Sequence, residues 1–170
     1  MEKKYILTEE AKEVGGHILH RIQAMRDFGG VQKGDLGGWV ESEENLSHDG
    51  DCWIFDNGRV FGDGRVSDNG WVSDNGKVSD DGWVFGNAKI GFNAYISSPR
   101  SYFVQGPIGS RNDFLTCYLD KDKKIYAVTG CFCGSIEVFV KKVKAVHGMN
   151  RWAKQYLKAA EMARVMLSGD

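Results

Sequence analysis

Two cysteines and a histidine in the C-terminal part of the chain are of the types that bind metals. Cys131 and Cys133 stand one residue apart, so in a strand both thiols would point to the same side, with His147 and Cys117 as further ligands. Structural zinc sites usually show about two to four residues between paired cysteines and a second ligand pair. Cysteines in strands are otherwise small buried hydrophobic residues. The spacing therefore favours structural thiols over zinc, and we expect no cofactor.

A glycine-bearing turn in the same region could bind an anion. Gly130–Ser135 precedes a predicted helix with Ser135 as its N-cap, and free N–H groups at such a position bind phosphate. Arg111 and Asp113, in the polar stretch before it, could hold a polar ligand. The spacing is not that of a P-loop. The expected ligand is a nucleotide or another anionic small molecule, and the alternative is an ordinary turn and helix cap.

Aromatic and acidic side chains recur in the middle of the chain and predict a binding surface. The candidates are Trp53, Trp71, Trp83, Phe55 and Phe85, with Asp56 and Asp74 among the acids. Large aromatic residues are favoured at the cores of protein interfaces. Two alternatives remain, because another segment could cover the rings, and aspartate is in any case a good turn former.

These residues sit in a region of strict periodicity. Residues 45–98 divide into nine hexads without an insertion, each opening with Asn or Asp. From the second hexad on, the fourth position is Ile or Val and the second is Gly, Ala or Cys. A helix requires apolar spacing near 3.6, whereas one β-branched residue in six predicts short strands joined by corners. The expected inward stacks are Ile54–Val72–Ile90, Val60–Val78–Ile96 and Val66–Val84.

This pattern resembles the hexapeptide repeat of left-handed parallel β-helices. The segment Arg21–Gly58, with GDLGGWVES and ENLS, resembles the region before the first coil of phage and prophage hexapeptide-repeat proteins. Those proteins are often described as transferases. The resemblance implies three hexads per triangular coil. It therefore implies a mainly β protein with a short left-handed parallel β-helix of about three coils.

Acyl transfer is the chemistry that the resemblance raises, with a histidine as general base. The repeats contain one histidine, His48, in the irregular first hexad. A general base must lie within hydrogen-bonding reach of the acceptor hydroxyl, and no loop protrudes from the repeats to cover a substrate. A surface or capping role for His48 is the alternative. The sequence therefore argues against an enzyme.

The flanking segments predict a cap and a small α+β domain. Strands at Tyr5–Leu7 and His17–Met25 belong to an N-terminal capping segment, residues 1–44, and the β-helix follows at 45–98. Residues 99–110 hold both prolines and are predicted to be a linker. The domain at 111–170 should contain a hairpin and two C-terminal helices: strands Phe114–Leu119 and Lys124–Thr129, a helix from Ser135 to about Val146, and a helix from Asn150.

Composition and charge limit the class of protein. With 42% hydrophobic and 26% charged residues, the chain is neither disordered nor membrane-embedded. Four unevenly placed cysteines and a non-apolar start favour a reducing, cytoplasmic location. The net charge of -1 is unevenly distributed, because residues 43–98 carry 4 basic and 10 acidic side chains and residues 99–170 carry 12 and 6.

These features predict a non-enzymatic phage-type binding protein. We expect it to inhibit a bacterial host defence system, by binding a host protein or by sequestering a nucleotide signal, in the cytoplasm of the host and without membrane contact. A dimer or trimer of the chain is open. The alternatives are a hexapeptide-class acyltransferase and a structural component of the virion.

Overall fold

The computed structural model describes residues 2–169 and confirms the predicted fold class. The protein is mainly β, with a β-solenoid of about three turns and two helices at the C-terminus. Three longer strands precede the solenoid: β1 (Tyr5–Val14), β2 (His17–Ala24) and β3 (Leu36–Val40). The hexads form eight two-residue strands: β4 (Trp53–Ile54), β5 (Arg59–Val60), β6 (Arg65–Val66), β7 (Trp71–Val72), β8 (Lys77–Val78), β9 (Trp83–Val84), β10 (Lys89–Ile90) and β11 (Tyr95–Ile96).

The short strands form three parallel faces in the predicted register. One face is β3-β5-β8-β11, the second is β4-β7-β10, and the third is β6-β9, which Leu46 extends through a bridge to Val66. The inward aliphatic side chains stack as predicted and are fully buried. Val40 pairs with Val60 and Leu46 with Val66, so the stack begins before the regular hexads do.

Two different positions of the hexad make the corners. The sixth position adopts a positive φ, as at Asp56 (50°) and Asp74 (52°), a conformation that Asp tolerates better than most residues. The second position has an ordinary φ but is crowded by the neighbouring coil. A Cβ at Gly64 would lie 2.8 Å from the Val78 carbonyl oxygen, and one at Gly82 would overlap that of Ile96. The small residue is therefore required by close approach rather than by a left-handed backbone.

The N-terminal segment covers the first coil. β1 and β2 form an antiparallel hairpin that continues the β3 face, and β1 is longer than the predicted Tyr5–Leu7. Lys4 is fully buried, and its Nζ donates to the Cys52 carbonyl at 2.9 Å and lies 3.1 Å from the Cys52 Sγ. The Tyr5 hydroxyl donates to the Leu46 carbonyl at 2.7 Å. Backbone acceptors at the open end of the solenoid are thus satisfied by side chains.

A four-stranded antiparallel sheet covers the other end. Its order is β12 (Tyr102–Ile108), β13 (Asp113–Leu119), β14 (Ile125–Thr129) and β15 (Phe132–Ser135). The segment predicted as a linker is therefore a strand, since residues 102–108 pair with β13. Successive side chains of β13 point to opposite faces of the sheet, so Tyr118 joins the solenoid core whereas Cys117 faces the helices. The Tyr118 hydroxyl also donates to the Phe92 carbonyl at 3.1 Å.

Two helices pack on the outer face of this sheet. α1 (Ile136–His147) begins at the predicted cap Ser135, whose hydroxyl accepts from the Val138 N–H, and it ends at Gly148. α2 (Arg151–Leu167) begins at the predicted cap Asn150. Their apolar stripes and the outward side of the sheet form a second core, separate from that of the solenoid.

Glu41 fastens the N-terminal hairpin to a corner of the solenoid. Its Oε2 accepts from the Gly62 N–H at 2.7 Å, and both carboxylate oxygens lie 3.0 Å from the His17 Nδ1. The Gly62 hydrogen bond first, and His17 second, hold the pKa of Glu41 below its ordinary value. The carboxylate is therefore better stabilised in the folded protein than in the unfolded chain.

Crowding at the second hexad position predicts a specific cost for an added methyl group. We expect Gly82→Ala to lower the free energy of unfolding by about 1–3 kcal/mol, because the Cβ meets backbone that cannot move independently. Urea unfolding should show a lower midpoint with an unchanged slope. Gly91→Ala is the control, since its nearest neighbours would be 3.4 Å away, and it should change stability by less than about 0.5 kcal/mol. Equal losses in the two variants would contradict this account of the repeat.

The lowered pKa of Glu41 predicts a pH-dependent contribution to stability. A depressed folded-state pKa stabilises the protein above the ordinary value of 4.5, and that stabilisation is lost as the pH falls through the lowered pKa. The stability difference between wild type and Glu41→Gln should therefore shrink as the pH falls below 4.5. Glu44→Gln, at an exposed position nearby, should show no such trend in melts from pH 3 to 7.

Candidate functional site

One candidate site is a groove on the helix side of the C-terminal sheet. We call it the basic groove; the β12–β13 turn, the β14–β15 turn, α1 and α2 enclose a cavity of about 250 Å³ there. The side chains that matter for binding are Arg111, Cys131, Phe132, Lys142, His147 and Tyr156.

Two glycines allow the turns to approach the groove residues. Gly130 has a φ of 53°, and a Cβ there would lie 2.9 Å from the Arg111 Nη1, so the guanidinium lies against the turn. Gly109 has a φ of 76°, and a side chain there would overlap the Tyr156 ring. The Gly109 N–H donates to the Gln155 Oε1 at 2.8 Å, which ties the β12–β13 turn to α2.

The groove combines cationic groups with an apolar wall. Arg111, Lys142 and His147 supply the titratable nitrogens, and among residues 2–169 no acidic side chain lines the cavity. Phe132 and Phe139 form one wall with their ring centroids 5.4 Å apart, and the Lys142 Nζ lies 5.2 Å from the Phe132 centroid. Such a site suits an anion with a flat apolar part.

The predicted anion-binding residues do not act together. Arg111 and the Gly130–Cys131 turn line the groove, but Ser135 does not, because its hydroxyl caps α1 at 3.3 Å from the Val138 N. Asp113 lies in another cleft, with Trp71 and Lys89, and its Oδ1 accepts from the Phe114 N–H at 2.7 Å. The helix N-terminus is therefore separate from the cationic groove.

The predicted metal ligands are also separated. Cys117 is buried against the helices, whereas Cys133 lies 3.8 Å from the Tyr118 hydroxyl on the solenoid side. Cys131 and His147 both line the basic groove. Within residues 2–169, no group of three or more His, Cys, Asp or Glu side chains is placed to bind a metal ion. Cys131 and Cys133 do not share one side of a strand as predicted, because Cys131 belongs to the β14–β15 turn and the alternation of side chains along a strand does not apply to it.

His48 is part of the N-terminal cap. Its ring stacks on Tyr5 with centroids 4.3 Å apart, and its Nδ1 accepts from the Lys4 N–H at 3.2 Å. Its Nε2 lies 3.5 Å from the Glu43 carboxylate. These contacts fasten the first hexad to the hairpin. The Lys4 N–H engages Nδ1 and Nε2 is buried, so neither ring nitrogen is open to an acceptor hydroxyl.

The aromatic side chains have three different environments. Trp53 pairs with Trp71 on the neighbouring coil and is only 1% exposed, because Phe28 and Tyr5 cover it. Trp71 and Phe55 are half-buried, with centroids 5.0 Å apart. Trp83 and Phe85 are 45% and 41% exposed. The N-terminal segment thus covers Trp53, one of the predicted binding residues. A protein partner for the exposed Trp83 and Phe85 stays a prediction.

Lys142, Phe132 and Tyr156 are groove residues that the sequence did not single out. Lys142 belongs to a run of lysines typical of a solvated helix face, and the spacing of Tyr156 predicts a core position. Their convergence depends on the β14–β15 turn reaching α1. A Gly-Cys-Phe turn directly before an amphipathic helix was the available signal.

Comparisons with known proteins add one partial similarity. No protein-family model matches the chain. The chain is similar to an uncharacterized acetyltransferase, YdcK, of Escherichia coli strain K12, with 33% identity over 66 residues. That stretch is 34% of this chain and 20% of the relative. None of the helices within residues 2–169 is long and apolar enough to cross a membrane.

Proposed function

We propose that the protein is a non-enzymatic binding protein that holds a small anionic ligand of the nucleotide class in the basic groove. The observation that carries the proposal is that the charged side chains around this partly aromatic groove are all basic. Arg111 offers several N–H donors in a planar fork, the geometry that suits a phosphate group. Lys142 adds a positive charge from the opposite side, on α1, and His147 adds an imidazole that can hydrogen-bond a ligand.

The apolar wall defines the rest of the ligand. Phe132 and Phe139 offer ring faces and edges beside the charged groups, and stacking on aromatic rings is how proteins hold nucleobases without sequence preference. A volume of about 250 Å³ is near the lower limit for small-molecule pockets. A mononucleotide, with its phosphate toward Arg111 and its base toward Phe132, fits these features better than a longer polymer.

Binding without turnover is supported by the hydrogen bonding of the groove. Cys131 and His147 line the same cavity, but among residues 2–169 no hydrogen bond joins the thiol to the imidazole. Activation of a nucleophile requires a base within such reach. The groove as it stands therefore holds no hydrogen-bonded Cys–His pair among the described residues, and this supports a receptor role.

Sequestration is the role that such a site would have in the proposed setting. A rigid protein that retains a nucleotide signal lowers its free concentration and so inhibits the host defence that depends on it. This setting rests on the resemblance to phage and prophage hexapeptide-repeat proteins, and the groove supplies its chemical basis. The bacterial cytoplasm is the proposed location for the same reason.

Acyl transfer is a second candidate because the matching relative is named an acetyltransferase. The packing of His48 against Tyr5 and Lys4 weighs against it as the base. Incubation with acetyl-CoA and a panel of amine and hydroxyl acceptors distinguishes the two, since our proposal expects no release of free CoA. Acetylated product that disappears in His48→Ala would establish the enzyme instead.

The groove predicts a ranked set of binding losses. Calorimetric titration with AMP and GMP should show binding, whereas adenosine, which lacks the phosphate, should bind at least about tenfold more weakly. Arg111→Gln should reduce nucleotide affinity about tenfold, and Lys142→Gln should reduce it by about twofold to fivefold, since a guanidinium can donate two hydrogen bonds to a phosphate whereas an ammonium acts as a point charge. Lys141→Gln is the matched control, because it removes the same charge from the adjacent position outside the groove.

Three results would overturn the proposal. One is the absence of nucleotide binding to wild type, and another is an equal loss in Lys141→Gln and Lys142→Gln, which would indicate a diffuse effect of charge. The third is conversion of the nucleotide during incubation, detected by chromatography, which would indicate catalysis instead of binding.

Alkylation of the cysteines gives an independent test of the same site. Cys131 and Cys133 are exposed and should react with iodoacetamide, while Cys52 and Cys117 are buried and should be protected. Burial raises the pKa of Cys117 to about 12, which leaves little reactive thiolate. AMP should slow the alkylation of Cys131, which lines the groove, and leave that of Cys133 unchanged. Cys131→Ser and Cys133→Ser make each exposed thiol separately measurable, and equal protection of both would place the ligand elsewhere.

A further inference from the structure

The third position of the hexads carries a restricted set of side chains. From the second hexad on, every residue there is basic or aromatic, and all four basic residues of 51–98 occupy it: Arg59, Arg65, Lys77 and Lys89. These residues are the first of each two-residue strand, and their side chains project outward from the solenoid. The acids occupy other hexad positions, so an acidic solenoid carries its cations in ladders on its faces.

One face places two cations directly beside each other. Arg59 pairs with Lys77 in parallel register on neighbouring coils. On the other faces each cation stands beside an aromatic residue, as Lys89 does with Trp71 and Arg65 with Trp83. Like charges directly opposite each other in a sheet are unfavourable. The Arg59–Lys77 pair is therefore the exception that requires a compensating group.

Protein groups do not supply that compensation. In the described part of the chain, Arg59 and Lys77 belong to none of the ion pairs. The Arg59 Nε is buried without a hydrogen-bond partner among those residues, and a buried donor left unpaired is costly. The Lys77 Nζ lies between the rings of Phe61 (5.0 Å) and Tyr95 (4.7 Å), which position the ammonium without neutralising it.

A cavity lies at the same place. A space of about 390 Å³ separates this face from the β13–β14 turn, and Arg59 and Lys77 line it together with Asn75, Asn93 and Tyr95. The turn contributes Asp120, Lys121 and Asp122 from the other side. The Asp120 Oδ1 already accepts from the N–H groups of Asp122 and Lys124, and among the described residues neither aspartate forms an ion pair with Arg59 or Lys77. The cavity thus has a cationic wall, amide groups and one aromatic ring on the solenoid side, and two carboxylates and a lysine on the side of the turn.

We propose that this cavity binds a small hydroxyl-bearing phosphate ester, with the phosphate between Arg59 and Lys77. The guanidinium and the ammonium supply donors and two positive charges to the oxyanion. Asn75, Asn93 and Asp122 can exchange hydrogen bonds with ligand hydroxyl groups, and the Tyr95 ring can cover an apolar face. This site lies on the solenoid, shares no residue with the basic groove, and stands whether or not the groove binds a nucleotide.

The test is thermal unfolding with and without glucose 6-phosphate, at equal ionic strength. The phosphate ester should raise the melting temperature of wild type, because a ligand that binds only the folded state stabilises it. Glucose should leave it unchanged, and inorganic phosphate should act more weakly than the ester. In Arg59→Gln, affinity for the ester should fall at least about tenfold.

The behaviour of Arg59→Gln without ligand separates binding from a structural role. Removing one of two adjacent like charges should leave its melting temperature in ligand-free buffer at or above that of wild type. A merely structural arginine would lower it with and without ligand. Arg65→Gln is the matched control, at the same hexad position on another face, and it should retain the full response to the ester.

The outcomes are decisive in both directions. A response lost in Arg59→Gln and kept in Arg65→Gln supports the site, and Lys77→Gln replaces the first variant if that one does not fold. No response in wild type, or an equal loss in Arg65→Gln, overturns it. Repeating the titration with Arg111→Gln separates this site from the basic groove, because that variant should bind the ester like wild type.

Discussion

Hydrogen bonds between successive coils are the constraint on which the rest of this structure depends. A two-residue strand cannot satisfy its own backbone, so each coil donates to the next, as the Phe55 N–H does to the Val72 carbonyl at 2.7 Å and the Arg59 N–H to Gly76 at 2.9 Å. The coils must therefore approach closely, and that approach excludes a Cβ at positions such as Gly82. Much of the glycine content of the chain follows from this close spacing. The first and last coils each have backbone groups with no further coil to pair with, so both ends of a short stack must be covered.

The two covers explain where the candidate sites lie. At the first coil, the buried Lys4 ammonium and the Tyr5 hydroxyl bind backbone carbonyls, which assigns His48 to a packing role beside them. At the last coil, the antiparallel sheet buries Tyr118 against the solenoid and presents Cys117 to the helices. The sheet is thus held on one side by the stack, and its opposite side and turns are where the basic groove forms. Both cavities described above adjoin turns of this sheet.

The repeat could be predicted from the sequence because it depends on local periodicity, and the contents of the sites could not because they depend on distant contacts. One β-branched residue in six predicts the stacks of Ile54 and Val60 without knowledge of the rest of the chain. The helix caps Ser135 and Asn150 are local for the same reason. By contrast, residues 102–108 hold a proline and pair with a strand that follows a turn, so composition predicted a linker there. The burial of Trp53 depends on Phe28, which is distant in sequence.

The structure shows how positive and negative charges are arranged within the repeat, which the net charge does not. A total of -1 averages a repeat region that is acidic overall and a C-terminal region that is basic overall, and the sequence alone does not show how the charges of the repeat are arranged. In the structure, aspartates such as Asp68, which adopt a positive φ, form the corners, whereas the cations stand in the strands, where aromatic neighbours such as Trp71 contact Lys89. Screening separates charges in solution beyond about 8–10 Å, so a ligand meets the local ladder rather than the regional sum. An acidic solenoid can therefore present a cationic face, because the repeat that places acids at corners also places bases between them.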